Sequence, residues 1–354
     1  MTLYAGHALE VARDLATGAV DCIVTSPPFF GLRDYGVEGQ YGAENSPGEY
    51  VENLRALFSE LRRVLADDGT LWLTLGDSYS GSAGRTAPSD KSTLRGNGHV
   101  GGGPKPRARA GRRSSRRASS TGEPAHGVAS TELAAKNLIG IPRLVALALQ
   151  DDGWILRSSI VWSKSNAMPE SVSDQPSNRY EHVFLFAKSQ GYWFDLDAIR
   201  IRTTSREDAL SRDRDIDLIP GQRAQHRRGR TWDQRKASGA TSRHGKCRPA
   251  QVSDSDFSTS AEGRNSGDVW TFPTQPFPGA HFTVMPPALA QQCVLSGCKP
   301  GGTVLDPCSG SGTTGLAAQR SGRRYVGVDL KPAYLELSLR TRLRDAALVF
   351  EEGA

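Results

Sequence analysis

The stretch TVLDPCSGSGTTGLAAQRSGRRYVGVDL, residues 303–330, decides the fold of this chain. It begins with a short apolar run, passes through a glycine-rich loop into a helical pattern, and ends in a second apolar run. Two strands that are joined through a helix pair in parallel by a right-handed crossover. The stretch therefore predicts an α/β fold built on parallel strands.

The glycine loop within this stretch predicts a nucleotide cofactor. Gly310, Gly312 and Gly315 form the pattern G-x-G-x-x-G between a strand and a helix, and Asp329 follows Gly310 by nineteen positions. Glycines let the backbone turn sharply and approach a ligand closely. A carboxylate at the end of the second strand can accept both ribose hydroxyls. The pattern alone fits NAD and S-adenosylmethionine equally.

Asp306, ahead of the loop, bears on that choice. Asp306 places a carboxylate at the strand tip, where it would repel a pyrophosphate. S-adenosylmethionine has no phosphate, and its sulfonium and ammonium groups can pair with Asp306, so this cofactor is favoured over NAD.

Pro307-Cys308 has the form of the nucleophile used by ring-carbon methyltransferases. Its place inside the cofactor loop instead favours Cys308 as a small residue that fills the loop.

A second motif, Thr25-Ser-Pro-Pro-Phe-Phe30, lies at the end of another predicted strand. The exocyclic amine of a base is a poor nucleophile because its lone pair is delocalised into the ring. The Ser26 hydroxyl and the Pro27 carbonyl can accept its hydrogens and aim the nitrogen at a methyl group. Pro27 and Pro28 fix the loop, which preorganises these acceptors. Phe29 can stack on a base that has left the duplex. Alone, the motif also fits an ordinary turn.

The remaining sequence divides by composition into five predicted segments. Residues 1–80, 131–200 and 266–354 have globular patterning. Residues 81–130 contain ten Lys/Arg and two Asp/Glu, which predicts a flexible basic loop. Residues 201–265 contain fourteen Lys/Arg and nine Asp/Glu. The net charge of +6 therefore leaves −7 for the rest of the chain. An acidic body with two basic segments fits a polyanion partner, although such runs also occur as solvated loops.

Several classes of protein are disfavoured by what the sequence lacks. No apolar run reaches the length of a membrane span, and the N-terminus does not resemble a signal peptide, so we expect a cytoplasmic protein without a membrane partner. No pair of the five cysteines has metal-type C-x-x-C spacing, so neither structural zinc nor a disulfide framework is expected. Within the globular segments, a helix running to Gly69 and helices interrupted near Pro142 are predicted.

The two motifs together resemble a known family. TSPPFFGLRDYG, residues 25–36, resembles the catalytic motif of the amino-group DNA methyltransferases, Asp/Asn/Ser-Pro-Pro-Tyr/Phe. LDPCSGSGTTGLAA with VGVDL resembles the cofactor motifs of that family, and HFTVMPPALAQQCV is similar to the motif that packs on the methionine end of the cofactor. The catalytic motif comes first, as in the permuted group called the beta class.

The resemblance implies a fold, an activity and a set of site residues. The fold would be a Rossmann-like, doubly wound mixed sheet of the S-adenosylmethionine-dependent methyltransferase type, with basic loop insertions. Residues 1–80 would be the catalytic part, 131–200 a continuation of the core, 201–265 the target-recognition region and 266–354 the cofactor-binding part. Ser26, Pro27, Pro28 and Phe29 would be catalytic. The cofactor would be bound by Asp306, Pro307, Cys308, Gly310, Gly312, Thr313, Asp329, His281, Phe282, Thr283 and Pro286.

The same resemblance implies a partner and leaves alternatives open. The partner would be double-stranded DNA, with base flipping, and a cognate restriction endonuclease is possible. Serine in the catalytic motif is typical of members that act on cytosine N4, and aspartate of those that act on adenine N6. Adenine N6 methylation therefore remains an alternative, as do methylation of RNA or of a small molecule, a non-catalytic DNA-binding protein that keeps the fold, and an NAD oxidoreductase. Oligomeric state is open.

Overall fold

The computed structural model describes residues 1–80, 133–168, 172–201, 263–277 and 284–344. The chain forms two compact units. One comprises Met1–Phe194 together with Asp268–Ala354, and the other Asp195–Gly267. The basic segment 81–130 and residues 202–262 lie outside the described residues, so the segment boundaries predicted there stay predictions.

The larger unit is built on one sheet, which has eight strands in its described part. They are β1 (Thr2–Ala5), β2 (Val20–Thr25), β3 (Leu65–Leu75), β4 (Ile155–Ser163), β5 (Tyr180–Ala187), β6 (Val269–Thr271), β7 (Thr303–Asp306) and β8 (Arg324–Asp329). Their order is β1-β8-β7-β2-β3-β5-β4-β6. Only β5 runs against its neighbours β3 and β4. The sheet is therefore mixed, as the family resemblance implies.

Helices cover both faces of this sheet. They are α1 (Ala8–Asp14), α2 (Pro47–Val64), α3 (Ile141–Asp151), α4 (Pro287–Gly297), α5 (Thr313–Arg320) and α6 (Pro332–Arg340). Alternate side chains of β3 point to opposite faces. Leu71 and Leu73 join the core cluster that contains buried residues of α1, α2 and α3. Trp72 faces the other way, where its indole packs on Gly297 of α4. The doubly wound α/β fold is confirmed.

Helix α2 ends earlier than the sequence predicts. The Ser46 hydroxyl accepts a hydrogen bond from the Glu49 amide (3.1 Å), which caps the first turn. The prediction that this helix runs to Gly69 is wrong, because Leu65 already pairs with Val20 as the first residue of β3. Burial of Leu65 in the sheet outweighs the helical pattern of the following residues.

Helix α3 corrects a second prediction. The residues described before Pro142 are not helical until Ile141, so the helix is not interrupted there but starts there. Proline is tolerated in a first turn because its missing N–H has no intrahelical partner in any case. The Asp77 carboxylate accepts from the amides of Gly140 (2.9 Å) and Ile141 (3.0 Å), which anchors the start of α3 to the end of β3.

The smaller unit is described only at its two ends. A single 3₁₀ turn spans Asp197–Ile199, and Ile201 and Arg264 exchange backbone hydrogen bonds as an isolated antiparallel bridge. Across both units, no helix in the described ranges has the length and apolar content needed to cross a bilayer.

Candidate active site

One cleft lies across the carboxyl ends of four adjacent strands. Its empty volume, counted to where it opens into solvent, is about 870 Å³. The residues that follow each strand line it: Ser26, Pro27, Pro28 and Phe29 after β2, Pro307, Cys308 and Gly310 after β7, Asp329 at the end of β8, and His7 after β1. The structure thus brings the Ser-Pro-Pro motif and the glycine loop into a common cleft, although some 280 residues separate them. This is where ligands bind in open α/β sheets.

The catalytic loop is held rigidly from several sides. The Pro28 carbonyl accepts a hydrogen bond from the Tyr50 hydroxyl (2.9 Å), and Tyr50 is fully buried. The Phe29 ring lies against Gly76, where a Cβ would come within 2.6 Å of Cε2. Gly42 has φ 87° and approaches the Phe29 carbonyl so closely that a Cβ would be 2.8 Å from its oxygen. These contacts fix the loop before any ligand arrives.

Asp306 links the two loops from beneath. Its Oδ1 accepts hydrogen bonds from the Thr25 hydroxyl (2.8 Å) and the Cys308 amide (3.0 Å). The side chain is buried and does not line the cleft. Burial raises the pKa of Asp306 to about 6, against the opposing effect of its hydrogen bonds. In the described structure the contacts of Asp306 are with the two loops, and its predicted role as a cofactor ligand stays a prediction.

Asp329 and the glycine loop are joined by a hydrogen bond. Asp329 Oδ2 accepts from the Gly310 amide (2.8 Å) and Oδ1 from the Lys331 amide (2.8 Å). Each oxygen keeps a second lone pair, and the carboxylate lines the cleft. Burial raises the pKa of Asp329, while both amides and the Lys331 charge oppose that rise. The geometry suits an acceptor of ribose hydroxyls.

Gly312 and Thr313 lie behind the cleft wall. Gly312 has φ 77° and caps α5, and a Cβ there would be 2.9 Å from the Cβ of Ser338. Thr313 is buried. Neither residue lines the cleft: Gly312 packs on Ser338 of α6, and the Thr313 hydroxyl accepts a hydrogen bond from Arg342. Pro286 precedes α4 and is likewise absent from the lining, whereas His281, Phe282 and Thr283 lie outside the described residues.

Cys308 lines the cleft, but its environment does not activate it. Burial, with the nearby charges of Asp306 and Asp329, raises the pKa of the thiol well above its ordinary value. A thiol that stays protonated is a weak nucleophile. The environment of Cys308 therefore favours a role in filling the loop over a role as a nucleophile. No cluster of metal ligands occurs in the described part of the chain.

A family model described as DNA methylase, for N6 and N4 methyltransferases, matches residues 20–340. The chain belongs to this DNA methylase family.

Relatives of this DNA methylase extend over nearly its whole length. The Type II methyltransferase M.Cfr9I of Citrobacter freundii is 38% identical over 96% of this chain and 86% of its own. The Type II methyltransferase M.SmaI of Serratia marcescens is 36% identical over 96% and 89%. Among solved structures, the PvuII cytosine-N4-specific DNA methyltransferase matches with a TM-score of 0.54 and 14% identity, over 99% of this chain and 87% of that one. At that identity the likeness shows the fold.

The cleft of the methylase fits the cofactor of its family, S-adenosyl-L-methionine. The residues present fit this group: the Asp329 carboxylate lines the cleft and can accept hydroxyls, and the buried Asp306 carboxylate accepts from the Cys308 amide of the same loop, where its charge suits a cation. The enzyme is therefore an S-adenosylmethionine-dependent methyltransferase that acts on DNA.

One part of the site was missed by sequence reasoning. The loop after the catalytic motif forms a wall of the cleft with Arg33, Tyr35, Gln40 and Tyr41. The Gln40 side chain pins it, since Oε1 accepts from the Tyr35 amide (2.7 Å) and Nε2 donates to the Arg33 carbonyl (3.0 Å). The signal available was the concentration of glycine and aromatic residues directly after the Ser-Pro-Pro motif.

Proposed function

We propose that this DNA methylase transfers a methyl group to N4 of a cytosine that has been extruded from double-stranded DNA. The observation that carries the proposal is the single cleft in which Ser26 and Phe29 face Gly310 and Asp329. When bound, S-adenosylmethionine supplies an electrophilic methyl group there. The chain must hold the amine in line with that methyl.

The catalytic loop has the groups for this task. The Ser26 hydroxyl and the Pro27 carbonyl accept hydrogen bonds from the two N–H groups of the amine and so localise the lone pair of the nitrogen. The Pro28 carbonyl is engaged by Tyr50, so it positions the loop instead of binding the base. The Phe29 ring, backed by Gly76, stacks on the extruded base.

The cofactor half is assigned in the same way. Asp329 binds the ribose hydroxyls, while Gly310, Pro307 and Cys308 form the floor. Asp306, Gly312 and Thr313 support that floor from below. His281, Phe282, Thr283 and Pro286 are proposed for the methionine end on the family resemblance alone. The segment 201–265 is proposed as the target-recognition region on its charge and its place in the chain.

Cytosine is favoured over adenine by the neutral serine at the first position of the motif, which is the form typical of cytosine-specific members. The full-length relatives are Type II methyltransferases. We therefore further propose that the enzyme modifies a site that a cognate restriction endonuclease cleaves.

Labelled methyl transfer to unmethylated duplex DNA, followed by nucleoside analysis, tests the proposal. We expect N4-methylcytosine. Ser26→Ala should lower turnover about 100-fold or more, since it removes a preorganised acceptor, and should leave cofactor affinity within about twofold. Ser59→Ala, on the exposed side of α2, is the matched control. N6-methyladenine as the product, or transfer to RNA alone, would refute the assignment.

A further inference from the structure

Gly42 packs against the backbone of the catalytic loop. Its φ is 87°, and a Cβ on it would come within 2.8 Å of the Phe29 carbonyl oxygen and 3.1 Å of that of Pro28. The Gly42 carbonyl accepts a hydrogen bond from the Gly31 amide (2.9 Å), which closes the loop formed by residues 31–42. The position of Gly42 therefore limits where the Pro28–Phe29 peptide can lie.

The Glu44 carboxylate holds Gly42 in this position. Its Oε2 accepts a hydrogen bond from the Gly42 amide (2.7 Å), and its Oε1 accepts one from Asn53 Nδ2 of α2 (3.2 Å). Burying part of a carboxylate costs free energy unless its oxygens are hydrogen-bonded, and here both are. Burial raises the pKa of Glu44, while its hydrogen bonds oppose that rise. A carboxylate that is half-buried and bonded in this way fixes the groups around it.

Helix α2 reaches the catalytic loop through two arms. Tyr50 donates directly to the Pro28 carbonyl (2.9 Å). Asn53, three residues further along the same face of the helix, reaches Gly42 through Glu44. The charge of Glu44 adds to burial in raising the pKa of the Tyr50 hydroxyl, so the two arms lie close together. Glu44 does not line the cleft, so its contacts act on the site through the loop that it holds.

We propose that Glu44 is a positioning residue for methyl transfer. By holding Gly42 against the Phe29 carbonyl, it fixes the Phe29 backbone and with it the ring that stacks on the target base. The inference rests on the proposed function, in which Phe29 has that role. Because small misplacements of reacting groups are costly, loss of the hold on Gly42 should appear in the transfer step and not in binding.

Glu44→Gln tests this role, because it keeps the size of the side chain and replaces one acceptor oxygen by an NH₂ group, which cannot accept. Single-turnover transfer at saturating DNA and S-adenosylmethionine should be about 10-fold slower, with rates normalised to the cofactor-binding sites counted by titration. The dissociation constants for both ligands should stay within about twofold of the wild-type values. Glu52→Gln, on the exposed side of α2, is the matched control and should transfer at the wild-type rate.

Asn53→Ala tests the route from α2. It leaves the Glu44 carboxylate in place but removes its support, so transfer should slow by a smaller factor, about 3-fold. Both changes act through one chain of hydrogen bonds, so their effects should not add. The double variant should therefore transfer at about the rate of Glu44→Gln alone.

Three results would overturn the inference. Wild-type transfer by Glu44→Gln would show that Gly42 keeps its place without the carboxylate. A loss of cofactor or DNA affinity as large as the loss of rate would show that Glu44 acts on binding. Additive effects of the two changes would show that Asn53 and Glu44 act separately. Formation of N6-methyladenine by the wild type is a distinct outcome, because it refutes the proposed base while the same rates can be compared on an adenine target.

Discussion

Asp306 shows how a single residue can serve the site without lining it. The Thr25 hydroxyl and the Cys308 amide both donate to Oδ1, so one carboxylate ties the catalytic loop to the cofactor loop. The sequence places a carboxylate at this position. Its role as a cofactor ligand stays a prediction, because the side of the strand tip that the carboxylate occupies is decided by the surrounding fold.

The pKa of Asp306 gives this burial a measurable consequence. A rise from the ordinary 3.8 to about 6 means that folding disfavours the charged form. The folded state therefore binds more protons than the unfolded state between about pH 4 and 6, and stability falls as pH rises through that window. The difference between the two pKa values corresponds to a loss of about 3 kcal/mol in folding stability at neutral pH.

Asp306→Asn should remove the free-energy cost of burying the charged carboxylate. Relative to the wild type, its free energy of unfolding should rise by up to about 3 kcal/mol between pH 4 and pH 7. Denaturant unfolding of both proteins at several pH values measures the change, and Asp14→Asn, on the surface of α1, is the control. A constant difference between Asp306→Asn and the wild type across the range would contradict the raised pKa.

At the scale of elements, β3 ends beside the Phe29 ring that we propose to stack on the target base. Gly76 follows the strand directly, and the Phe29 ring occupies the space that a side chain would need. Gly76→Ala should displace the ring, since a Cβ would lie 2.6 Å from Cε2. We expect a fall in methyl transfer of about 10-fold or more, because small misplacements of reacting groups are costly.

The control for that change is Gly191→Ala, where a Cβ would have no neighbour within 4 Å. Cofactor affinity should be unchanged in both variants, as Gly76 is not part of the cleft lining. Single-turnover transfer and cofactor titration measure the two effects separately. Wild-type transfer by Gly76→Ala would show that the ring position does not matter for the reaction.

The same scale shows what the sequence can and cannot predict about the fold. The unit β7–α5–β8 is local, so the glycine loop and its flanking periodicity suffice to predict it. The end of α2 and the start of α3 were mispredicted because distant partners decide them: Val20 pairs with Leu65, and Asp77 caps α3. The wall containing Tyr41 was missed because the ring that packs beside Tyr41, that of His7, follows the distant strand β1.

For the molecule as a whole, the basic segment 81–130 joins two chain ends that the structure holds together. Tyr79 and Leu138 form an antiparallel bridge, and the Ser80 amide donates to the Asn137 carbonyl (2.8 Å). The Ser80 hydroxyl also donates to the Leu133 carbonyl (2.9 Å). These hydrogen bonds hold the two ends of the segment next to each other. A short linker can therefore replace the segment without straining β3 or α3. Closing a shorter loop also costs less conformational entropy during folding.

Replacing residues 81–130 by a short Gly-Ser linker should therefore separate DNA binding from the fold. The cofactor dissociation constant should stay within about twofold, and the unfolding midpoint should not fall. The change removes ten basic and two acidic residues, so affinity for duplex DNA should drop. The slope of log affinity against log salt should become shallower by about 0.9 for every phosphate that the segment neutralises in the wild type. DNA titrations at several salt concentrations measure both quantities, and an unchanged slope would assign DNA binding to the rest of the chain.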